Sequence, residues 1–298
     1  MVSLAVGGSW GEGTASGYAA CLADRGGAAG AASSRSAGAC PGGQGRLAGM
    51  DAIDAGSRPR PALVLVHGTR MNAAQWEPYR ALLPDVQLVT VDLPGHGDRV
   101  GEEFTAESAL STIDRAVGRA RDVAGGVPPV LCGHSLGGYL SMTWADQHPG
   151  ELGGLVLLGA TADPRSRLAG VYRGFARVLP VVGPDRMARA VNAVMRVLGA
   201  RGEHARLLPD GAAYAALPAA WELVMSGGGP QLLTSVDVPV TLVNGQFDQM
   251  RLHVGRYAAA CRQVRVVTVP RASHLLPATH PEQVAEVLRA AWERASSG

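Results

Sequence analysis

The stretch Pro129-Val130-Leu131-Cys132-Gly133-His134-Ser135-Leu136-Gly137-Gly138-Tyr139-Leu140-Ser141-Met142-Thr143-Trp144 decides the fold. Its first four residues form an apolar run of strand length, and the residues from Gly138 onward read as a helix. Between them lies the pentapeptide Gly-His-Ser-Leu-Gly. Where a strand turns sharply into a helix the two elements nearly touch, so the residues flanking the serine must lack bulk, and the serine itself takes a strained backbone conformation at the tip. Gly133 and Gly137 meet that demand. In a chain with 40 glycines the pentapeptide alone is a modest signal, so its weight rests on what stands at the ends of the other strands.

Working outward, apolar runs occur at 62–66, 87–91, 129–132, 155–158, 240–243 and 264–269, separated by helix-length segments. Their hydrophobicity is continuous rather than alternating, which predicts strands covered on both faces. Helix-length connections predict parallel, right-handed crossovers, and hence an α/β fold with a doubly wound, mostly parallel sheet. Chemistry in such sheets collects at the carboxyl ends of the strands. The fifth run is followed by Asn244-Gly245-Gln246-Phe247-Asp248 and the sixth by Arg271-Ala272-Ser273-His274. A serine hydroxyl attacks a carbonyl only if a base removes its proton and a third group holds that base in the right tautomer. Ser135, Asp248 and His274 supply those three roles, each one short loop past a strand end, in the chain order serine, aspartate, histidine.

These motifs together resemble the α/β-hydrolase family over about residues 61 to 295. The first strand ends in His67-Gly68-Thr69-Arg70, similar to the family's oxyanion loop, and the second in Asp92-Leu93-Pro94-Gly95-His96-Gly97, similar to its Asp-x-Pro-Gly-x-Gly turn. His274 followed by His280-Pro281-Glu282 and an apolar helix resembles the family's ending. The resemblance implies Ser135 as nucleophile, His274 as general base and then acid, Asp248 as its orienter, and an oxyanion hole from the backbone N–H groups of Thr69 and Leu136. It implies a carboxylic ester hydrolase working through an acyl-enzyme, with no metal or organic cofactor. Aspartate-nucleophile chemistries, epoxide opening and halide displacement, are disfavoured by the serine. Thioesterase, perhydrolase and carbon–carbon bond hydrolase share the same triad, and a non-enzymatic small-molecule binder shares the scaffold. The family's opening pair of antiparallel strands has no legible counterpart in residues 1 to 60.

Several other residues compete for roles. Asp163, just after the fourth strand, is the alternative triad acid, although Asp-Pro favours helix initiation. Asp92 is read as bracing its own turn. Arg70, beside the oxyanion loop, is a candidate for binding a substrate carboxylate, and His134 and Trp221 are candidates for lining the substrate pocket. His67 and His96 sit in motif turns, where packing and hydrogen bonding are the ordinary duties of histidine. Cys132 reads as a small core residue of its strand.

Between the fourth and fifth strands a stretch of about 161–236 is too long for a simple crossover and predicts a helical cap, with Met187, Val191, Val194, Met195 and Leu198 at helical spacing. Tyr214, Leu217, Trp221, Leu223 and Met225 form a second apolar cluster, and Gly227-Gly228-Gly229-Pro230 an exit. Residues 161–210 hold nine Arg against Asp163, Asp185, Glu203 and Asp210. That excess fits either ordinary solvated arginines or a surface for anionic substrates or an acidic acyl carrier protein.

Residues 56–298 are accordingly assigned to one α/β domain. Half of the first fifty positions are Gly or Ala, without periodicity, so residues 1–55 are predicted to be disordered; translation from Met50 is the alternative, which an intact mass decides. A net charge of +2 with 17% charged residues gives no basic field for nucleic acid. No run approaches the ~18 apolar residues of a membrane span. The four cysteines show no metal-ligand spacing, and the N-terminus lacks a basic stretch followed by an apolar core. Free thiols and a cytoplasmic location are the corresponding expectations.

Overall fold

The computed structural model describes residues 59–166 and 212–297, with isolated positions 183, 185, 186, 189, 192 and 193 between them. The expected disordered segment, the Met50 start and the cap residues Met187, Val191, Val194, Met195 and Leu198 lie outside the described residues, as do most of the arginines counted above.

The six apolar runs form six strands: β1 (Leu63–Val66), β2 (Leu88–Val91), β3 (Val130–His134), β4 (Gly154–Leu158), β5 (Val240–Gly245) and β6 (Val264–Val269). They pair in parallel in the order β2-β1-β3-β4-β5-β6. Alternate side chains of one strand enter different cores, which is why the runs are apolar throughout. Val64 and Val66 of β1 pack with Ile113 of α2 (Ala106–Val123) and Leu140 of α3 (Leu136–Gln147). Leu63 and Leu65 pack on the opposite face with Tyr79 of α1 (Glu77–Leu82). Leu288 and Trp292 of the C-terminal helix (Pro281–Ser297) join that second core. The C-terminal helix buries Val284, Val287, Leu288, Ala291 and Trp292, the three-and-four spacing of a single helical face. The Trp292 indole N–H donates to Pro61 O at 2.6 Å and so ties that helix to the start of the sheet.

One expectation fails at the edge. Its continuous apolar run predicts β6 to be buried on both faces, yet Val264 is 42% exposed and Val266 48%. The cause is its place in the sheet: β6 is last in the order and pairs only with β5 among the described residues. Apolar content alone does not distinguish a central strand from an edge.

The chain leaves β1 toward β2 on one side and returns to β3 on the other, so the strand order reverses between β1 and β3. A crevice opens at the carboxyl ends of the strands at such a reversal. Thr69 follows β1 and Ser135 follows β3, which places both at that point. In the long β4–β5 connection the described helices are α4 (Ala212–Ala215) and α5 (Leu217–Gly227). The β5–β6 crossover carries α6 (Val254–Ala260), and α7 (Leu276–Thr279) precedes the C-terminal helix. Among the described residues no helix is long and apolar enough to cross a membrane.

Candidate active site

Ser135 sits between β3 and α3 at φ 51° and ψ −115°, a left-handed conformation that costs a non-glycine residue about 1–3 kcal/mol. Its surroundings hold it there. Its N–H donates to Leu158 O at 2.8 Å and its carbonyl accepts from Gly138 N at 2.9 Å. A Cβ on Gly133 would lie 2.2 Å from Gly137 O, and one on Gly137 would lie 2.6 Å from His67 O. Both obstacles are backbone, which cannot rotate away. Gly133→Ala is therefore expected to lower stability by about 3 kcal/mol or more, or to abolish folding, and urea unfolding of the variant measures it. A variant with wild-type stability would mean that this strand-to-helix turn, the elbow that carries Ser135, is not packed this tightly.

The other two side chains arrive from neighbouring strand ends. Asp248 follows β5 and His274 follows β6, and their loops are laced together: Gln246 N donates to Val269 O and Phe247 N to Ala272 O, both at 2.9 Å. Arg271 turns its loop with φ 57°, and its N–H donates to Gln246 Oε1 at 2.9 Å. The outcome is a continuous relay. His274 Nε2 lies 3.0 Å from Ser135 Oγ, and His274 Nδ1 lies 3.0 Å from Asp248 Oδ1. Asp248 is 2% exposed and its Oδ1 also accepts from Met250 N at 2.8 Å. With its proton on Nδ1 the imidazole would donate to the carboxylate and present the Nε2 lone pair to the serine hydroxyl. Chemically, this arrangement can activate a serine for attack on an acyl carbon.

Asp163 does not reach His274. Its Oδ1 accepts from Arg165 N at 3.0 Å and its Oδ2 from Arg256 Nη1 at 3.4 Å. Asp92 braces two loops, accepting from Ala73 N at 2.6 Å and from Asp98 N at 3.0 Å. Arg70, at φ 64°, donates from Nη1 to the Tyr214 hydroxyl at 2.9 Å and lies over that ring, which joins the loop after β1 to α4. His134 lies beneath the relay, with Nε2 3.0 Å from His274 O and Nδ1 3.2 Å from Gln75 Oε1.

A cavity of 640 Å³, partly open to solvent, lies over Ser135 and is walled largely by apolar side chains. Thr69 and Leu136 border it, as does Trp221 from α5; Arg70 and His134 do not. No backbone or side-chain acceptor among the described residues takes up the N–H of Thr69 or Leu136. Sequence reading did not single out Tyr139, Met250 or His253, all on this wall. Tyr139 stands one turn into the helix that Ser135 opens. Met250 and His253 follow Asp248 within five positions, the only local signal that the acid loop also shapes the pocket.

The buried histidines carry the site's other electrostatic feature. His67 is pushed down to about 4 by burial and by the nearby His96, and His134 to about 3 by burial and by His274. His67 Nε2 accepts from Leu93 N at 3.0 Å, which requires the neutral ring. Both therefore stay neutral in the fold but take up a proton when unfolded below about pH 6.5. Between pH 6.5 and 4 the unfolded chain binds more protons, so stability falls as pH falls, by about 1.4 kcal/mol per pH unit for each ring. Urea midpoints measured from pH 7.5 to 4.5 should drop accordingly, and replacing His67 with glutamine should make the dependence shallower. A flat profile would contradict the burial of these rings. Cys132, fully buried in β3, has its thiol pushed up by the same desolvation and stays protonated. Among the described residues no three metal-binding side chains converge.

A profile of the alpha/beta hydrolase family matches residues 63–287. The chain is 29% identical over 253 residues to the pimeloyl-acyl-carrier-protein methyl ester esterase of Xanthomonas campestris pv. campestris, covering 76% of this chain and 93% of that protein. It is 28% identical over 245 residues to the protein of the same name from Neisseria meningitidis, covering 76% and 91%. Among solved structures, a thermophilic esterase from Thermogutta terrifontis shares the fold with a TM-score of 0.64 at 24% identity, covering 79% of this chain and 90% of that one. The reversal at β1 and β3, the strained serine between β3 and α3, and a family match spanning most of the chain lead to one conclusion: this chain belongs to the alpha/beta hydrolase family.

Proposed function

We propose that the protein is a serine esterase that cleaves a carboxylic ester through an acyl-enzyme on Ser135. The observation that carries this reading is the relay of two 3.0 Å contacts from Ser135 Oγ through His274 to the buried Asp248. His274 Nε2 takes the hydroxyl proton as Oγ bonds to the ester carbon. The negative charge that develops on the carbonyl oxygen is met by the N–H groups of Thr69 and Leu136, typically worth a few kcal/mol to the transition state. The imidazolium, stabilised by Asp248, then returns its proton to the departing alkoxide. Water repeats the sequence against the acyl-enzyme, His274 again acting as base, and the carboxylic acid leaves.

The names of the relatives support the esterase reading, and they also motivate a second one, in which an acyl carrier protein presents the substrate. That reading draws on the arginine-rich stretch 161–210 and implies electrostatic docking, screened over ~10 Å at 0.1 M salt. The alignment of all three catalytic side chains favours turnover over simple binding on this scaffold. Rates on p-nitrophenyl esters of increasing acyl length, beside free and carrier-bound acyl thioesters at low and high salt, separate these readings. Ester turnover indifferent to salt supports the first. Preference for carrier-bound acyl groups that vanishes in salt supports the second, and no turnover of any of them would leave the binder.

A further inference from the structure

Most of the cavity wall asks nothing of a ligand except apolar surface: Trp221, Val224, Met225, Met250 and Leu252 would accept any alkyl chain. A few polar groups interrupt it. Ser135 and the N–H groups beside it are engaged by the reaction, and the Asp163 carboxylate is occupied by Arg165 N and Arg256 Nη1. The Thr69 hydroxyl has no partner among the described residues, and neither does one nitrogen of His253, whose ring is in addition held in a fixed orientation. Its Nδ1 accepts the backbone N–H of Asp163 at 3.0 Å, so the ring is neutral and carries its proton on Nε2. Among the described residues that N–H has no acceptor.

The ring is also held in place. Its acceptor nitrogen is bonded to the loop after β4, its backbone N–H donates to Thr161 O at 3.3 Å, and Asp163 is clamped by Arg256 of α6, the helix that His253 begins. A donor oriented before the ligand arrives loses little freedom on binding. We infer that His253 is a specificity-determining residue, its Nε2–H reading a hydrogen-bond-accepting oxygen carried by the substrate chain that fills the cavity. This inference rests on the esterase reading and names the class of substrate: esters whose acyl or alkoxy chain is interrupted by a carbonyl or ether oxygen. A site built to hydrogen-bond such an oxygen rejects the analogue that lacks it far more strongly than an apolar wall can.

The test uses two matched series, p-nitrophenyl hexanoate against its 4-oxo and 5-oxo derivatives, and butyl acetate against 2-methoxyethyl acetate. Each is turned over by wild type, His253→Leu and His253→Gln. In the series whose chain occupies the cavity, His253→Leu should lower kcat/KM for an oxygen-bearing ester by about 10- to 100-fold more than for the matched alkyl ester. His253→Gln, whose amide N–H stands in for Nε2–H, should recover part of the loss. A purely structural role would lower both members of a pair together, and that result in both series would overturn the inference. Wild type inert on every ester would instead overturn the esterase reading beneath it.

Discussion

Ser135→Ala is expected to lower kcat on p-nitrophenyl esters by about 10⁴- to 10⁶-fold, because in the proposed mechanism removing the nucleophile forfeits nearly everything the three side chains do as a unit. Residual turnover would come from the oxyanion donors and from binding. The comparison is informative because the substitution should leave the fold intact. Alanine at this position keeps a Cβ in the same left-handed backbone conformation, the hydroxyl's contact is with His274 Nε2, and the elbow is held by backbone bonds and by Gly133 and Gly137. Steady-state kinetics, with thermal unfolding run alongside, measures both halves. A variant that folds normally and retains more than a few per cent of activity would show that another group attacks the ester.

Asp248→Asn should lower kcat by about 10³- to 10⁴-fold with little loss of stability. Met250 N and His274 Nδ1 both bond Oδ1 of Asp248, so an asparagine that turns its amide N–H toward His274 Nδ1 gives up the bond from Met250 N, at a cost of about 1 kcal/mol. The turned amide selects the opposite tautomer, with the imidazole proton on Nε2, where it blocks transfer from Ser135. Asp163→Asn, by contrast, weakens contacts with Arg256 and Arg165 at 3.4 and 3.0 Å and leaves the relay untouched. Its kcat should stay within about tenfold of wild type. Measuring the two variants on the same substrate assigns the acid. A larger loss at Asp163 than at Asp248 would reverse the assignment.

The choice between these two aspartates marks where sequence reading stops. Both follow a strand in the right part of the chain, so order and spacing admit either. What separates them in space is that the loops after β5 and β6 are stitched together by Gln246 N to Val269 O and Phe247 N to Ala272 O, which brings Asp248 beside His274. The strands and the elbow were legible because their causes are local. Apolar runs of strand length and two glycines forced by backbone contact leave direct marks in the sequence. The exposure of Val264 and Val266 was not legible, since an apolar residue does not record whether a further strand lies beside it. The pocket wall was read only in part. Trp221 is a large side chain on an apolar helical face and announces itself, whereas His253 owes its place to a bond with the backbone of Asp163, ninety positions away. His134 and Arg70 were candidates for the pocket because of their neighbours in sequence. Their side chains turn away, one under His274 and the other onto Tyr214.

The most direct test of the central claim is to trap the covalent step. The protein is treated with a fluorophosphonate, digested, and the modified residue located by mass spectrometry, with Asp248→Asn run in parallel. One adduct is expected, on Ser135, formed rapidly by wild type and orders of magnitude more slowly by the variant. An unlabelled Ser135 in folded protein, or an adduct on another residue, would contradict it.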